Sequence, residues 1–275
     1  MRYIDEISTG GRKGVFLINL EYKRKSFDKT VTMNFKKALN EMQETALNQV
    51  SNASSLNDLL SIKADFRTDG IKSAMKKTYK DVGQYFASES YNNLAPKRKD
   101  STEQLARVWE QQMADYVDKE VGERIKLITN TTEEQFKKVV KNVATQALND
   151  GLSVQDAAKM IKDQIGFNNR YRALRIARTE IVSASNHGSL TGAKSTGLNL
   201  NKVWISTKGN RTRHSHADKD LDGQVVGLHE SFKVPIYDGD KKTNDTERLQ
   251  HPGDPKGSAG NVINCRCTQG YKRIL

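Results

Sequence analysis

The chain has 275 residues, enough for one large domain or two small ones. Hydrophobic residues make up 36% and charged residues 28%, too polar a mix for a membrane span, and no stretch approaches the ~18 consecutive apolar residues that a span requires. With 45 Lys+Arg against 33 Asp+Glu the net charge is +12, which favours polyanions or an acidic protein face as partners.

The excess charge is uneven. Residues 1–150 hold 25 basic and 21 acidic side chains; residues 151–275 hold 20 and 12. The first residues lack an apolar core and a small-residue cleavage site, so no signal peptide is expected. Val15-Phe16-Leu17-Ile18 reads as a short strand or an adhesive tail segment after the flexible turn Gly10–Gly14. From Val31 the apolar residues Phe35, Leu39, Met42, Ala46 and Val50 fall at steps of three and four, one face of a helix. A break is expected at 51–55. A second helical stretch spans about 56–91 with an interruption near Asp69-Gly70, and a polar connector at 92–100 contains Pro96.

Leu105, Trp109, Met113, Val117, Val121, Ile125 and Ile128 predict a third helix. Thr131 with Glu134 reads as a capping box opening the next, which carries Phe136, Val139, Val140, Val143 and Ala147 and stops at Gly151. Ser153 with Asp156 predicts another start, Gly166 its end, and a last helix from about Asn169 bears Leu174, Ala177, Ile181 and Ala184. The stripes predict core rather than partner-binding surface. Lys63, Lys72, Lys76, Lys77 and Lys80 read as a solvated helix face rather than a DNA groove.

The character changes near residue 200. Three of the four prolines and four of the five histidines follow. Strands are predicted at 202–207, 224–226, 232–234 and 267–271, with turn-rich loops between them. The expected class is α+β: an elongated N-terminal helical region followed by a small C-terminal mixed module of short strands and long loops.

Three groups of residues could carry chemistry. Arg178-Thr179-Glu180 and Asn186 lie on a helix where Thr179 and Asn186, seven apart, share a face, as polar anchors for the C-terminal module. Arg211-Thr212-Arg213 could hold phosphate or carboxylate. His214 and His216, both facing one way if on a strand, would with Cys265 and Cys267 complete a tetrahedral zinc set. Against this, the Cys-x-Cys spacing is tighter than the usual Cys-x2-Cys, and the same residues could be small buried cysteines and a histidine bonded to backbone. His251 is a further ligand candidate, and a Cys265–Cys267 disulfide would be strained. There is no Gly-x-Ser-x-Gly, no P-loop and no Glu-x-Glu of ADP-ribosyltransferase type.

The series Ala177-Arg178-Thr179-Glu180, Asn186, Gly188, Trp204, Arg211-Thr212-Arg213-x-x-His216, Leu221-Asp222-Gly223, Phe232, Pro252 and Asn264-Cys265-Arg266-Cys267 resembles the tailed-phage head morphogenesis family, the Mu F-like and SPP1-type minor head proteins, over roughly residues 135–270. The resemblance implies a helical region at 1–130 and a head morphogenesis domain at 131–275. It further implies a non-enzymatic, low-copy virion component inside the head near the portal vertex, found in the host cytoplasm during assembly and acting in head assembly and genome packaging or ejection. The implied partners are the portal protein, major capsid or scaffolding protein, and packaged double-stranded DNA bound without base preference; no membrane is involved. It transfers no catalytic residue. Relatives commonly carry an aspartate before Arg-x-Arg, where this chain has Lys208-Gly209-Asn210; His214 lies off the family pattern while His216 matches it. The ligand set that survives is His216, Cys265 and Cys267 with one more donor, and zinc is the candidate cofactor. The competing reading is a metal-dependent nuclease or toxin-like module built on Arg211, Arg213, His216, Cys265 and Cys267, and a third is a scaffold-like factor that leaves before maturation.

Overall fold

Helix dominates the first 195 residues. The computed structural model describes residues 10–63, 66–95, 102–207 and 212–274, with backbone alone for 10–16 and 102. Helix α1, Gly10–Ser51, runs for 42 residues. Val15–Ile18 therefore belongs to a helix rather than to a strand or tail segment: no proline or cap interrupts the chain before Val31, and Leu20 and Arg24 extend the buried stripe backward at helical spacing. After the expected break, α2 (Leu56–Leu60) is opened by Ser55, whose hydroxyl accepts from Asp58 N–H while the Asp58 carboxylate accepts from Ser55 N–H. The interruption expected near Asp69-Gly70 lies just before it, after Leu60, and Asp69 starts the next helix. Helix α3 (Asp69–Thr78) passes through a π turn at Tyr79–Gly83 into α4 (Gln84–Leu94). Pro96 and residues 97–101 lie outside the described residues.

The third predicted helix divides in two, α5 (Thr102–Glu120) and α6 (Gly122–Asp150), with the break at Val121. Thr131 is not a cap. Its hydroxyl donates to the carbonyl of Leu127 four residues back, so it stays inside α6. Gly151 does end that helix, in the left-handed conformation at φ 66°. Ser153 caps α7 by accepting from Asp156 N–H at 3.1 Å, but α7 (Val154–Ser195) is one 42-residue helix, uninterrupted at Gly166. A lone glycine lowers helix propensity by only ~1 kcal/mol, too little to stop a helix packed along its length.

The chain then makes β1 (Leu200–Ile205), α8 (His214–Ala217), β2 (Val225–Gly227), β3 (Phe232–Asp238), β4 (Lys241–Leu249), α9 (Ala259–Val262) and β5 (Thr268–Arg273). One antiparallel sheet has the order β2-β1-β5, with Val203 opposite Val225 and Gly270; the other is the β3–β4 hairpin, irregular between Pro235 and Tyr237. A long helical region followed by a small module of short antiparallel strands is the α+β class predicted. Strand β4 was not predicted. It alternates no apolar residues and is largely exposed, so only its ladder with β3 defines it.

Two compact units share this chain. The first comprises Met1–Lys29, Met75–Val121 and Arg178–Leu275; the second comprises Thr30–Ala74 and Gly122–Ala177. Among the described residues the regular structure of the second is helix. Phe35, Leu39, Val50, Ile71, Phe136, Val143 and Ile161 are buried there, and Phe66 meets Phe136 edge-on at 5.5 Å. Two polar clamps tie its helices. Arg172 donates to Thr132 Oγ1 and the Ile128 carbonyl, and Asn169 donates to Gln43 and Asn40. The first unit contains both sheets. Trp204, Leu221, Phe232, Val234, Leu249, Cys265 and Cys267 form one core, and Leu94, Leu190, Ala193, Leu200, Leu228 and Tyr271 another. Helix α7 approaches the π turn and α4 through glycines: a methyl at Gly188 would sit 2.1 Å from the Gly83 carbonyl oxygen, and one at Gly192 2.1 Å from that of Ala87.

Candidate functional site

Thr179, Ser183 and Asn186 follow one another by four and three residues on α7, which puts them on one face of that helix. All three are buried and all three bind the C-terminal loops. Thr179 Oγ1 accepts from Asn264 N–H at 3.0 Å, and Ser183 Oγ donates to the Gly253 carbonyl at 2.6 Å. Asn186 is saturated. Its amide donates to the Pro252 and Cys267 carbonyls, and its oxygen accepts from Arg24 Nη2 and Thr268 Oγ1, all between 2.9 and 3.1 Å. Two donors and two lone pairs are all a carboxamide has. Gln269 completes the hub by donating to the Asn186 backbone carbonyl.

Arg24, from α1, reaches the same place. Its Nε donates to Ser185 Oγ at 2.8 Å and its Nη1 to the Arg266 carbonyl at 3.2 Å. Burial pulls the guanidinium down to about 10, opposed by Glu21, Cys265 and Cys267 nearby. Arg24 thus fixes the peptide between the two cysteines from a position 242 residues before Arg266.

Cys265, Cys267 and His216 converge. They are 3%, 2% and 2% exposed, and their donor atoms all lie within 4.8 Å of one another. His216 Nδ1 is 3.6 Å from Cys265 Sγ and 3.5 Å from Cys267 Sγ. Both thiols are free. The Cys267 thiol is held well below its ordinary value by hydrogen bonding from Cys265 and His216, and Cys265 is driven correspondingly up by its bond to Cys267 and by burial. Asn264 creates the bend before them; at φ 57° it is the one non-glycine residue with positive φ among the described residues. The three side chains line a cavity of about 590 Å³ together with Arg24, Lys25, Arg178, Arg213 and Arg266, against the acidic Glu21 and Asp28. Burial raises the Asp28 carboxyl above its ordinary value, against the pull of Arg178.

The structure separates His214 from His216. They sit on the short helix α8 rather than on a strand, and two residues of helix turn side chains to nearly opposite sides. His214 is exposed, 3.0 Å from Asp240. His251 also belongs elsewhere. It meets Tyr116 OH at 3.1 Å beside His187, which stacks on Tyr116 and is held well below the ordinary histidine value by burial.

The remaining motif residues are structural in position. Trp204 is in the core, Glu180 is buried within 3.5 Å of Tyr79 OH, and Asp222 accepts from Ser206 N–H at 2.8 Å. Gly223 adopts φ 91°, and Arg213 donates to the Ile263 carbonyl. Arg211 and Lys208–Asn210 lie outside the described residues. Lys76 and Lys80 pair with Asp118 and Glu110. Sequence reasoning missed Arg24 and Lys202. Arg24 occupies a stripe position four residues after Leu20, and a charge on an apolar stripe was the available signal. The four-residue spacing of Gly188 and Gly192 signalled the close helix approach.

Residues 138–270 match the family described as Phage Mu protein F like protein. Uncharacterized protein YqbB of Bacillus subtilis (strain 168) is 31% identical over 149 residues, 54% of this chain and 44% of that protein. NAD(+)--arginine ADP-ribosyltransferase EFV of Enterococcus faecalis (strain ATCC 700802 / V583) is 30% identical over 153 residues, 54% of this chain and 28% of that protein. Minor head protein GP7 of Bacillus phage SPP1 is 28% identical over 165 residues, 58% of this chain and 49% of that protein. The chain spans less than half the length of each of these relatives. No solved structure matches it significantly.

Proposed function

From the match of residues 138–270 to the Phage Mu protein F like family we propose that the chain is a minor head protein of a tailed bacteriophage. It acts in head assembly and in packaging or ejection of the genome, in few copies, inside the head near the portal vertex, after passing through the host cytoplasm during assembly. Its partners are the portal protein, the major capsid or scaffolding protein, and packaged double-stranded DNA. The observation that carries this reading is the family match, with a relative in phage SPP1 named as a minor head protein. The use of the motif supports it. Thr179, Glu180, Asn186 and Trp204 are buried within the fold, and the half-buried Asp222 accepts from Ser206 N–H, which suits a structural use of these residues. The head morphogenesis domain is assigned to 131–275 and the helical region to 1–130, with Arg24 and Gly83 of that region lending the domain part of its framework.

The surplus of positive charge in residues 151–275 favours phosphate contacts that carry no sequence information. Binding to double-stranded DNA is expected to weaken steeply with added salt and to be indifferent to sequence; retention at high salt, or dependence on one site, contradicts this part of the reading. Immobilised portal protein of the parent phage is expected to capture the chain.

The Enterococcus relative raises a second reading, a transferase. The match spans only 28% of that protein, and this chain has no Glu-x-Glu. Incubation with labelled NAD and arginine-rich protein is expected to transfer no label.

A further inference from the structure

We propose that His216, Cys265 and Cys267 form a zinc-binding site that staples the α8 turn to the segment entering β5. Three observations carry it. First, the donor set is right in kind: one imidazole and two thiols, borderline-soft and soft donors that together suit zinc over the oxygen-preferring cations. Second, the donors are already gathered. Their atoms lie within 4.8 Å of one another although His216 stands 49 residues from Cys265 and 51 from Cys267. Hydrophobic packing alone needs no such convergence of three heteroatoms. Third, the backbone is shaped around the sulfurs. The left-handed Asn264 turns the chain, Cys265 N–H bonds to the Val262 carbonyl, and Cys267 N–H points at Cys265 Sγ from 3.4 Å.

The surroundings hold the ligands in place. Arg24 and Thr207 both donate to the Arg266 carbonyl, pinning the peptide between the cysteines, and Thr179 receives Asn264 N–H just before them. On binding, each cysteine gives its proton to solvent, His216 coordinates as neutral imidazole, and Zn²⁺ is neither oxidised nor reduced. Two thiolates and one divalent ion are together neutral, so the buried site carries no net charge. The three side chains border the cavity, which leaves the fourth tetrahedral position to water from it.

The test is metal analysis of the full-length chain, purified under reducing conditions, followed by titration of the metal-free protein with Zn²⁺ and with Co²⁺ as spectroscopic stand-in. Close to one zinc per chain is expected, with a thiolate-to-cobalt charge-transfer band saturating at the same ratio. Loss of a residue that only hydrogen-bonds a ligand costs metal sites ~10–100-fold in affinity, so His216→Ala, Cys265→Ser and Cys267→Ser are each expected to lose more than about 100-fold. His214→Ala, two residues away on the opposite side, is expected to bind as the parent does. The parent protein decides the matter even where a variant fails to fold. A reduced parent chain that takes up neither ion, or gives no charge-transfer band, overturns the proposal, as does unchanged binding in Cys267→Ser. Failure would leave the head-protein reading standing, because nothing in that reading requires a metal.

Discussion

The two compact units are stabilised by different chemistry. The second is a set of helices closed over apolar stripes, with two polar clamps at Arg172 and Asn169. The first, which contains both sheets, is organised around a buried polar hub: Asn186 joins α1, α7, the Pro252 turn and β5 through four side-chain hydrogen bonds. An apolar stripe tolerates exchange of one hydrophobe for another of similar volume. A saturated carboxamide tolerates nothing, because every partner it loses stays buried and unpaired. Thr179, Ser183 and Asn186 therefore lie where substitution is least forgiving.

The contrast can be broken by substitution. Phe136→Ala, at the edge-on contact with Phe66, is expected to cost ~3–5 kcal/mol in denaturant unfolding, with amide exchange quickening in the helices of the second unit. Asn186→Leu keeps the branched shape and removes the hub; about 3 kcal/mol is expected from the stranded partners, with exchange quickening in β5 and around Pro252. If Asn186→Leu cost under ~1 kcal/mol while Phe136→Ala behaved as stated, the hub would be incidental and the contrast empty. Gly192→Val is expected to cost ~2–3 kcal/mol by driving α7 off the Ala87 carbonyl. Gly166→Ala, where an added methyl meets no atom within 4 Å, is expected to stabilise by up to ~1 kcal/mol.

A smaller effect depends on pH. Lys202 lies in β1 with its ammonium donating to the Gln250 carbonyl, and burial pushes it down to about 7 from its ordinary value of 10.5. Between those values the unfolded chain binds the additional proton, so stability climbs as pH rises from about 7 to about 10 and this slope vanishes below about 7, where both states are protonated. Thermal melts across that range are expected to show the slope in the parent and to lose it in Lys202→Met. Smallest is the difference between two hydroxyls. Ser153→Ala is expected to cost ~1 kcal/mol because it removes a cap, and Thr131→Ala to change stability by under ~0.5 kcal/mol because Thr131 caps nothing.

The second unit was largely legible. Phe35 through Val50 and Phe136 through Ala147 announce their helices by spacing, and a helical stripe is a local property of the chain. Helix ends were less so: Thr131 and Gly166 carry end signals, but packing of the whole helix outweighs a hydroxyl or a glycine worth about 1 kcal/mol. The shared face of Thr179 and Asn186 was readable from their separation of seven. Their partners were not, since Arg24, Pro252 and Thr268 meet Asn186 only after long loops close, and no local pattern encodes that. Strand β4 escaped because it is defined by backbone pairing with β3 rather than by a buried side. His214 was set aside because it lies off the resemblance; the strand that would have aligned it with His216 is a single helical turn.

The proposed place of this chain in a phage head is open to direct test. Quantitative mass spectrometry of purified mature particles of the parent phage addresses it without intermediaries. The intact polypeptide is expected in every preparation, at low copy. Fully infectious particles that contain none of it would contradict the account outright.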